Sequence, residues 1–389
     1  MIARDPAEPH RAATPLELFF DLVFVVAVAQ AAAQLHHAIV EGHAADAALG
    51  YGMVFFAIWW AWMNFSWFAS AYDNDDVLYR LAVLVQITGS LILAAGVPRA
   101  FVARDFSIVT LGYVVMRLAL VGQWLRAAHS DPGRRPCALR FALGVALCQL
   151  GWVLLLFVPV DQFLPGFFAL AVVELLVPVW AERRAPTTWH PGHIAERYGL
   201  FTIIVLGESI LAASIAIQSA VQTSGRVGEL AEIIVGGLLI VFSMWWLYFD
   251  REMHGLLTSL PRSFLWGYGH LLVFAAGAAV GAGLGVYADY AIGHAEVGRW
   301  GAGAAVAIPV ATYLLALWAL HLRPGEAAVP GTVRAPFVAV LVLLTPWTGH
   351  AVLVTGGLVA GLLGLELGRG HRGLVGEEVD PVRTAADQR

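Results

Sequence analysis

Apolar stretches long enough to cross a bilayer decide the fold class, and the first of them lies close to the N-terminus. Residues 16–40 read LELFFDLVFVVAVAQAAAQLHHAIV. A bilayer core about 30 Å thick needs about 20 apolar residues in a helix. This stretch meets that length and has no small-residue cleavage site, so it predicts a retained membrane helix rather than a signal peptide.

The composition of the whole chain is that of a protein embedded in lipid. Its 389 residues are 59% hydrophobic and 13% charged, with a mean hydropathy of +0.73. The charged fraction is about half the roughly 25% usual in soluble domains. The 23 basic residues are all arginines and form no patch, which excludes a nucleic-acid-binding surface. We therefore predict an all-α polytopic membrane protein.

Apolar runs between polar or Gly/Pro breaks predict about 12 transmembrane helices, with 10 or 11 as alternatives. The predicted spans are 16–40, 48–70, 77–98, 101–126, 139–160, 163–181, 194–219, 230–250, 264–288, 300–322, 336–348 and 350–368. Pro346-Trp347-Thr348-Gly349 is typical of a tight turn. Residues 336–368 therefore form either two spans or one span and a re-entrant segment.

The arginines also predict an orientation, because cytoplasmic loops carry an excess of Arg and Lys. With the N-terminus inside, most of the arginines fall on the cytoplasmic side, and both termini are cytoplasmic. The predicted organisation is a disordered N-terminal tail (1–15), a first six-helix half (16–181), a cytoplasmic linker (182–193), a second six-helix half (194–368) and a C-terminal tail (369–389).

A weak internal similarity indicates that the two halves are parallel repeats. The second span contains FAIWWAWMN at 56–64, and the eighth contains FSMWWLYFD at 242–250. Their aromatic pairs, Trp59–Trp60 and Trp245–Trp246, fall at matching offsets. An interfacial aromatic belt would also explain these tryptophans.

Ionisable residues inside spans are costly and usually functional or paired, so they form the list of candidate site residues. Glu17 and Asp21 are four residues apart and therefore share one helix face. Glu17 could serve only as a cap at the helix start. Asp21 lies deeper, and we expect it to have a functional or pairing role.

The seventh span carries a second set of candidates. Glu196 and Arg197 lie at its cytoplasmic edge, and Glu208 lies about 16 Å further along, near mid-bilayer. His193, Arg197 and Glu208 share a face without touching. Glu208 is expected to be a functional carboxylate, with a structural ion pair as the alternative. Its possible partners are Arg117 and His270, for which Glu174 competes.

The chain contains no H-E-x-x-H, G-x-S-x-G or phosphate-binding loop. The pair His190 and His193 has no cysteine or second carboxylate in local spacing, which disfavours a metal. Cys137 and Cys148 are about 16 Å apart along one helix, too far for a disulfide. We expect no enzymatic activity, no metal and no cofactor.

Two motifs resemble the bacterial low temperature requirement A (LtrA) family. They are TPLELFFDLVFV at 14–25 and HIAERYGLFTIIVLGES at 193–209, and the likeness extends over roughly residues 12–370. The resemblance implies a bacterial multi-pass protein of the cytoplasmic (inner) membrane, from a family named for growth at low temperature. It implies no agreed activity and supplies no catalytic residues.

The first helix is also similar to the F-S-D-G-V-F-A-I signature of the lysosomal potassium channels, which have two six-helix repeats. Phe19, Asp21, Val23 and Phe24 match, whereas Phe20 and Leu22 replace Ser and Gly. The seventh span has no F-x-D at the corresponding place, which disfavours a two-fold pore.

Three functions fit these observations. The leading hypothesis is a secondary transporter that uses buried carboxylates such as Asp21 and Glu208 for proton or cation coupling. The alternatives are a cation channel and a non-transporting membrane protein, either a stress or assembly factor or a lipid-modifying enzyme. The expected partners are the lipid bilayer and an unidentified small solute or cation, and the oligomeric state is open.

Overall fold

The computed structural model describes residues 1–5, 8, 11–224, 227–250, 253–321 and 333–377, and all regular structure in them is helical. The α-helices are α1 (Pro15–Val40), α2 (Ala44–Tyr72), α3 (Val77–Val102), α4 (Ser107–Ser130), α5 (Arg135–Leu155), α6 (Val160–Ala181), α7 (Pro191–Ser224), α8 (Val227–Phe249), α9 (Leu260–Ala291), α10 (Arg299–His321), α11 (Arg334–Leu344) and α12 (Ala351–Glu377). Two short 3₁₀ helices, His254–Leu256 and Thr345–Trp347, lie in the connections.

Eleven of the described helices are long and apolar enough to cross a membrane. Their outward-facing side chains are also apolar; Leu147 of α5 and Leu211 of α7, for example, are more than half exposed. Lipid tolerates such a surface, and helices satisfy their backbone hydrogen bonds internally. The chain is therefore a multi-pass helical membrane protein, as the composition predicts.

The eleventh predicted span, 336–348, differs from the others. α11 has 11 residues, and with the following 3₁₀ helix it reaches only to Trp347, which is shorter than a bilayer core of about 30 Å. At one end Arg334 donates to the carbonyl of Leu365 in α12 (3.2 Å). At the other end the Trp347 ring contacts that of Trp300, at the start of α10 (centroids 5.9 Å apart). The turn predicted at Pro346 separates α11 from α12.

α1 and α9 lie at the centre of the helix bundle. α1 packs against α2, α3, α7 and α9, and α9 packs against α7 and α10. The approach of α7 to α9 is close because a Cβ on Gly281 would lie 2.6 Å from the Cα of Ser209. The Ser209 hydroxyl donates to the carbonyl of Gly277 across the same contact (2.7 Å). The middle of α7 is thereby held against α9.

The described part of the N-terminal segment is anchored, although the sequence predicts a disordered tail. The Ile2 amide donates to Asn74 (2.7 Å), and the Arg4 amide donates to the carbonyl of Ala71 (2.9 Å). Arg11 is buried and donates to the carbonyls of Ala69 and Ser70 at the end of α2. Composition alone predicts disorder here, because it does not show that carbonyl groups at the end of a distant helix bind this segment. Of the predicted C-terminal tail, residues 378–389 lie outside the described residues, and the part before them continues α12.

Candidate functional site

The start of α1 places two carboxylates inside the bundle. Thr14 caps the helix with a capping box: its hydroxyl accepts from the Glu17 amide (3.3 Å), and its own amide donates to Glu17 (2.8 Å). This arrangement fixes the first turn. Asp21 follows one turn later on the same face. Both acids are completely buried. Glu17 therefore caps the helix, as its position predicts, and also places a carboxylate inside the bundle, where it can bind a partner.

Arg197 of α7 binds both carboxylates. Its Nε and Nη2 donate to the two oxygens of Asp21 at 2.9 and 2.5 Å. Its Nη1 donates to Oε1 of Glu17 at 3.0 Å. The Arg197 side chain is completely buried. The bidentate geometry is the strong form of an arginine–carboxylate pair, and it joins α1 to α7.

His193, one turn before Arg197, completes the contact with Glu17. Its Nε2 lies 3.1 Å from Oε1 and 3.3 Å from Oε2 of Glu17. A carboxylate only accepts hydrogen bonds, so Nε2 carries the proton. The Nδ1 atom has no hydrogen-bond partner among the described residues. That nitrogen is therefore the position where the buried imidazole can take up a second proton.

α2 supplies an aromatic wall and one more donor. The indole Nε1 of Trp62 donates to Oδ1 of Asp21 at 2.6 Å. The Trp62 ring stacks on Phe201 of α7 (centroids 4.4 Å apart), and Phe65 lies under the Arg197 guanidinium at 6.0 Å. Trp62 was not among the candidates from the sequence; the only signal there was an indole N–H in the span that follows the one carrying Asp21.

The network's charge depends on His193. Two carboxylates and one guanidinium leave one negative charge when the imidazole is neutral and none when it is protonated. In a low-dielectric interior that difference matters, because an uncompensated charge is costly. The groups titrate as a coupled set rather than singly. The arrangement can thus hold or release one proton. The Arg197 guanidinium occupies the position in which a metal cation would otherwise balance the two carboxylates.

The N-terminal segment covers the network at the end of the bundle. His190, in the connection before α7, contacts the Glu8 carbonyl through Nε2 (2.9 Å), and its amide donates to the Ser70 hydroxyl (2.9 Å). Beside them, burial raises the pKa of Asp73 to about 6, and the negative charge of Glu17 adds to the shift. Burial also lowers the pKa of Arg11. In this conformation the network is closed off from solvent.

A second buried ion pair joins α4 to α6. Arg117 Nη2 lies 3.1 Å from Oε1 of Glu174 and donates to the Tyr113 hydroxyl (2.6 Å). Tyr113 and Trp152 of α5 each donate to Oε2 of Glu174 at 2.9 Å. Both charged side chains are 1% exposed. Arg117 therefore pairs with Glu174, which was expected from the sequence only to compete with Glu208 for this arginine.

Glu208, the principal sequence candidate in α7, does not join either network. Its side chain is half-buried, and no hydrogen bond or ion pair connects it to a residue in the described ranges. Neither suggested partner reaches it: Arg117 pairs with Glu174, and His270 contacts the Tyr248 hydroxyl (3.0 Å) and the Trp266 carbonyl (2.8 Å).

The remaining candidates lie at the edge of the networks or outside them. Glu196 accepts from the amide of Ala13 (3.3 Å), beside the α1 cap. The two aromatic pairs differ in environment: Trp59 and Trp60 are 1% exposed, whereas Trp245 and Trp246 are each 46% exposed. The first pair packs in the bundle, and the second faces outwards, as residues of a membrane-facing belt would.

The fold and these networks define a multi-pass helical membrane protein with buried ion pairs between its helices. A family model described as "Bacterial low temperature requirement A protein (LtrA)" matches residues 12–366, and the chain belongs to this family. It is also 27% identical over 298 residues, 69% of this chain and 68% of the relative, to an uncharacterized protein, RA0937, of Rhizobium meliloti (strain 1021). The matched range contains every residue of both networks.

Proposed function

We propose that this LtrA-family protein is a secondary transporter of the bacterial cytoplasmic membrane that couples solute movement to a proton, and that it is not an enzyme. The observation that carries the proposal is the network of Glu17, Asp21, His193 and Arg197. It brings ionisable groups from the first and seventh helices into one buried cluster whose net charge changes by one on protonation. Ionisable groups within membrane spans characteristically mark proton relays and ion pathways.

The packing of the helices supports the proposal that the protein consists of two parallel six-helix halves. In each half the first helix packs on the third and the third on the fourth: α1 on α3 and α3 on α4, then α7 on α9 and α9 on α10. The Asp21–Arg197 pair then lies between equivalent helices of the two halves. Transporters built from parallel repeats place their substrate and ion sites between the halves. The proposal counts α11 with the 3₁₀ helix Thr345–Trp347 as a short twelfth crossing, because an even number of crossings is needed to put both chain ends in the cytoplasm.

The same geometry favours coupling over conduction. Asp21, which would line the pore of a channel, is bound by Arg197 and Trp62 and is completely buried. A permeating cation would have to displace a bidentate guanidinium. A transporter requires only that the network open and close as the halves move and as His193 gains or loses its proton.

The test is charge movement in proteoliposomes on solid-supported membranes, with concentration jumps of a panel of small metabolites and cations. The variants are Asp21→Asn and His193→Gln, and Glu208→Gln is the matched control because Glu208 contacts neither network. We expect wild type and Glu208→Gln to show solute-dependent, pH-dependent currents, and the two network variants to lose them by at least tenfold.

The proposal fails if monodisperse Asp21→Asn and His193→Gln proteins transport as well as wild type. Sustained current driven by voltage alone, with no solute gradient, would establish the channel alternative. If folded wild type shows no flux with any solute and the network variants only lower folded yield, the networks are architectural and the protein does not transport.

A further inference from the structure

The buried guanidinium of Arg117 has more donors than its protein partners use. Nη2 contacts Tyr113 and Glu174, and the guanidinium lies over the Tyr113 ring at 4.7 Å. Nε and Nη1 have no hydrogen-bond partner among the described residues, although the side chain is 1% exposed. Buried donors left without acceptors are costly. The unused donors therefore indicate that this arginine has an acceptor besides Glu174.

An unpaired amide lies on the neighbouring helix. Gln149 of α5 is buried, and neither its Oε1 nor its Nε2 has a partner within the described part of the chain. It lies three residues from Trp152, which contacts Glu174, so both side chains lie on one face of α5. An amide N–H can act together with a guanidinium as a second donor to a carboxylate or similar oxyanion.

An aromatic cavity adjoins this polar cluster. It has a volume of about 30 Å³, is lined by Tyr113 and Trp152 at the cluster, and continues between Phe56, Phe163 and Phe167. On this measure a water molecule needs about 10–15 Å³, so the cavity accommodates a small apolar group. The polar groups at one end and the aromatic walls beyond them suit a molecule with one anionic and one apolar end.

This cavity leads to the end of the bundle opposite Thr14. A larger cavity of about 900 Å³ lies there, and it shares Met53, Phe106 and Leu155 among its lining residues. On the other side of the Arg117–Glu174 pair lies a third cavity, of about 20 Å³, lined by Asn64 and Glu182. The ion pair thus separates two cavities among α2, α4, α5 and α6.

We propose that Arg117 binds a small carboxylate, with Gln149 as a second donor and the aromatic cavity holding the apolar end, and that each carboxylate binds together with one proton on Glu174. The proton follows from charge. Arg117 balances only one carboxylate, so a second would leave a buried negative charge unless Glu174 is neutral. The other ionisable groups around the pair are Tyr113 and Cys148, and both are neutral in their usual protonation state.

This inference goes beyond the proposed function, because it assigns a ligand to a second site within the first half, and binding there can be measured without any flux. The probe is trifluoroacetate, followed by ¹⁹F NMR with purified protein between pH 5 and 8, because this carboxylate stays ionised throughout. Trifluoroacetamide is the neutral control of the same shape. We expect saturable binding of trifluoroacetate alone, with affinity falling up to about tenfold for each unit by which the pH rises, because each bound carboxylate requires the uptake of one proton.

Glu174→Gln provides a test by gain of binding, which misfolding cannot imitate. Gln keeps the size of Glu174 but needs no proton, so we expect at least tenfold tighter binding at pH 8 and little dependence on pH. Arg117→Gln should abolish binding. The inference is overturned if the amide competes as well as the carboxylate, if Glu174→Gln binds more weakly than wild type, or if neither folded protein binds. Binding without transport would overturn only the proposed function.

Discussion

Asp21 of α1 and Arg197 of α7 form a bidentate ion pair that is completely buried, with Nε–Oδ2 and Nη2–Oδ1 distances of 2.9 and 2.5 Å. The two residues are 176 positions apart in the chain. Because Arg197 also binds Glu17, removing the arginine leaves two buried carboxylates without their cation, which is far more costly than removing a complete ion pair. The pair therefore makes the contact between α1 and α7 both strong and sensitive to single substitutions.

A double-mutant cycle on this pair should show strong coupling. We expect Arg197→Gln, which leaves both carboxylates without a cation, to destabilise the protein by about 3–5 kcal/mol. Asp21→Asn leaves Arg197 paired with Glu17, so we expect it to cost only about 1–3 kcal/mol. The double variant should lose less than the sum, because once Asp21 is neutral the loss of Arg197 leaves only the Glu17 carboxylate without its cation. Thermal unfolding in detergent, followed by circular dichroism, measures all four proteins. Additive losses would contradict the direct interaction.

Glu208→Gln should behave as a surface substitution. Its carboxyl is half-buried and has no partner in the described ranges, so we expect unfolding within roughly 0.5 kcal/mol of wild type. The same thermal assay checks this expectation. Destabilisation as large as that of Asp21→Asn would mean that Glu208 has a partner outside the described chain, such as a second copy.

The sequence predicted the helices well because bilayer length and apolar runs constrain them directly. The shared face of Glu17 and Asp21 followed from their spacing, and both contact Arg197. The partners of the mid-membrane charges did not follow, since they depend on which helices are neighbours and how each is rotated. Arg117 and Glu174 lie on different helices, and no local spacing relates them.

The ranking of candidates failed for a related reason. Glu208 has the deepest position along α7, but depth along a helix does not tell whether a side chain faces the bundle or its surface. Arg197, one turn after His193, lies at the edge of the span and yet is completely buried. The buried positions near the start of α7 form because the N-terminal segment, through Arg11, covers that end. Composition gave no sign of that cover.

Stability should depend on pH through Asp73. Its pKa is about 6 in the folded protein and about 3.8 when exposed. The folded state therefore binds the Asp73 proton more tightly than the unfolded state does. The stabilisation that this proton provides is fully present below about pH 4, falls as the pH rises to about 6 and is lost above that. The expected loss is roughly 1–3 kcal/mol. Unfolding of wild type minus that of Asp73→Asn, measured from pH 4 to 8, isolates this contribution. A flat difference would contradict the raised pKa.

The close contact between α3 and α4 should depend on the absence of a side chain at Gly112. A Cβ on Gly112 would lie 2.4 Å from the backbone nitrogen of Leu93 and 2.5 Å from the carbonyl oxygen of Gly89. Both are backbone atoms, so relief requires the helices to separate, which weakens the close packing that small residues permit in membranes. We expect Gly112→Ala to lower the unfolding temperature.

Gly122→Ala, in the same helix, is the matched control for that substitution. Apart from the adjoining backbone of α4 itself, no atom in the described ranges lies within 4 Å of a Cβ built on Gly122, and alanine is the better helix former by about 1 kcal/mol. Unfolding measured side by side should therefore show loss at Gly112 and no loss, or a small gain, at Gly122. Equal responses at the two positions would mean that α3 and α4 are not in backbone contact at Gly89. The neighbouring helix would then have room for a methyl group, and the position of Arg117 five residues further along α4 would have to be reconsidered.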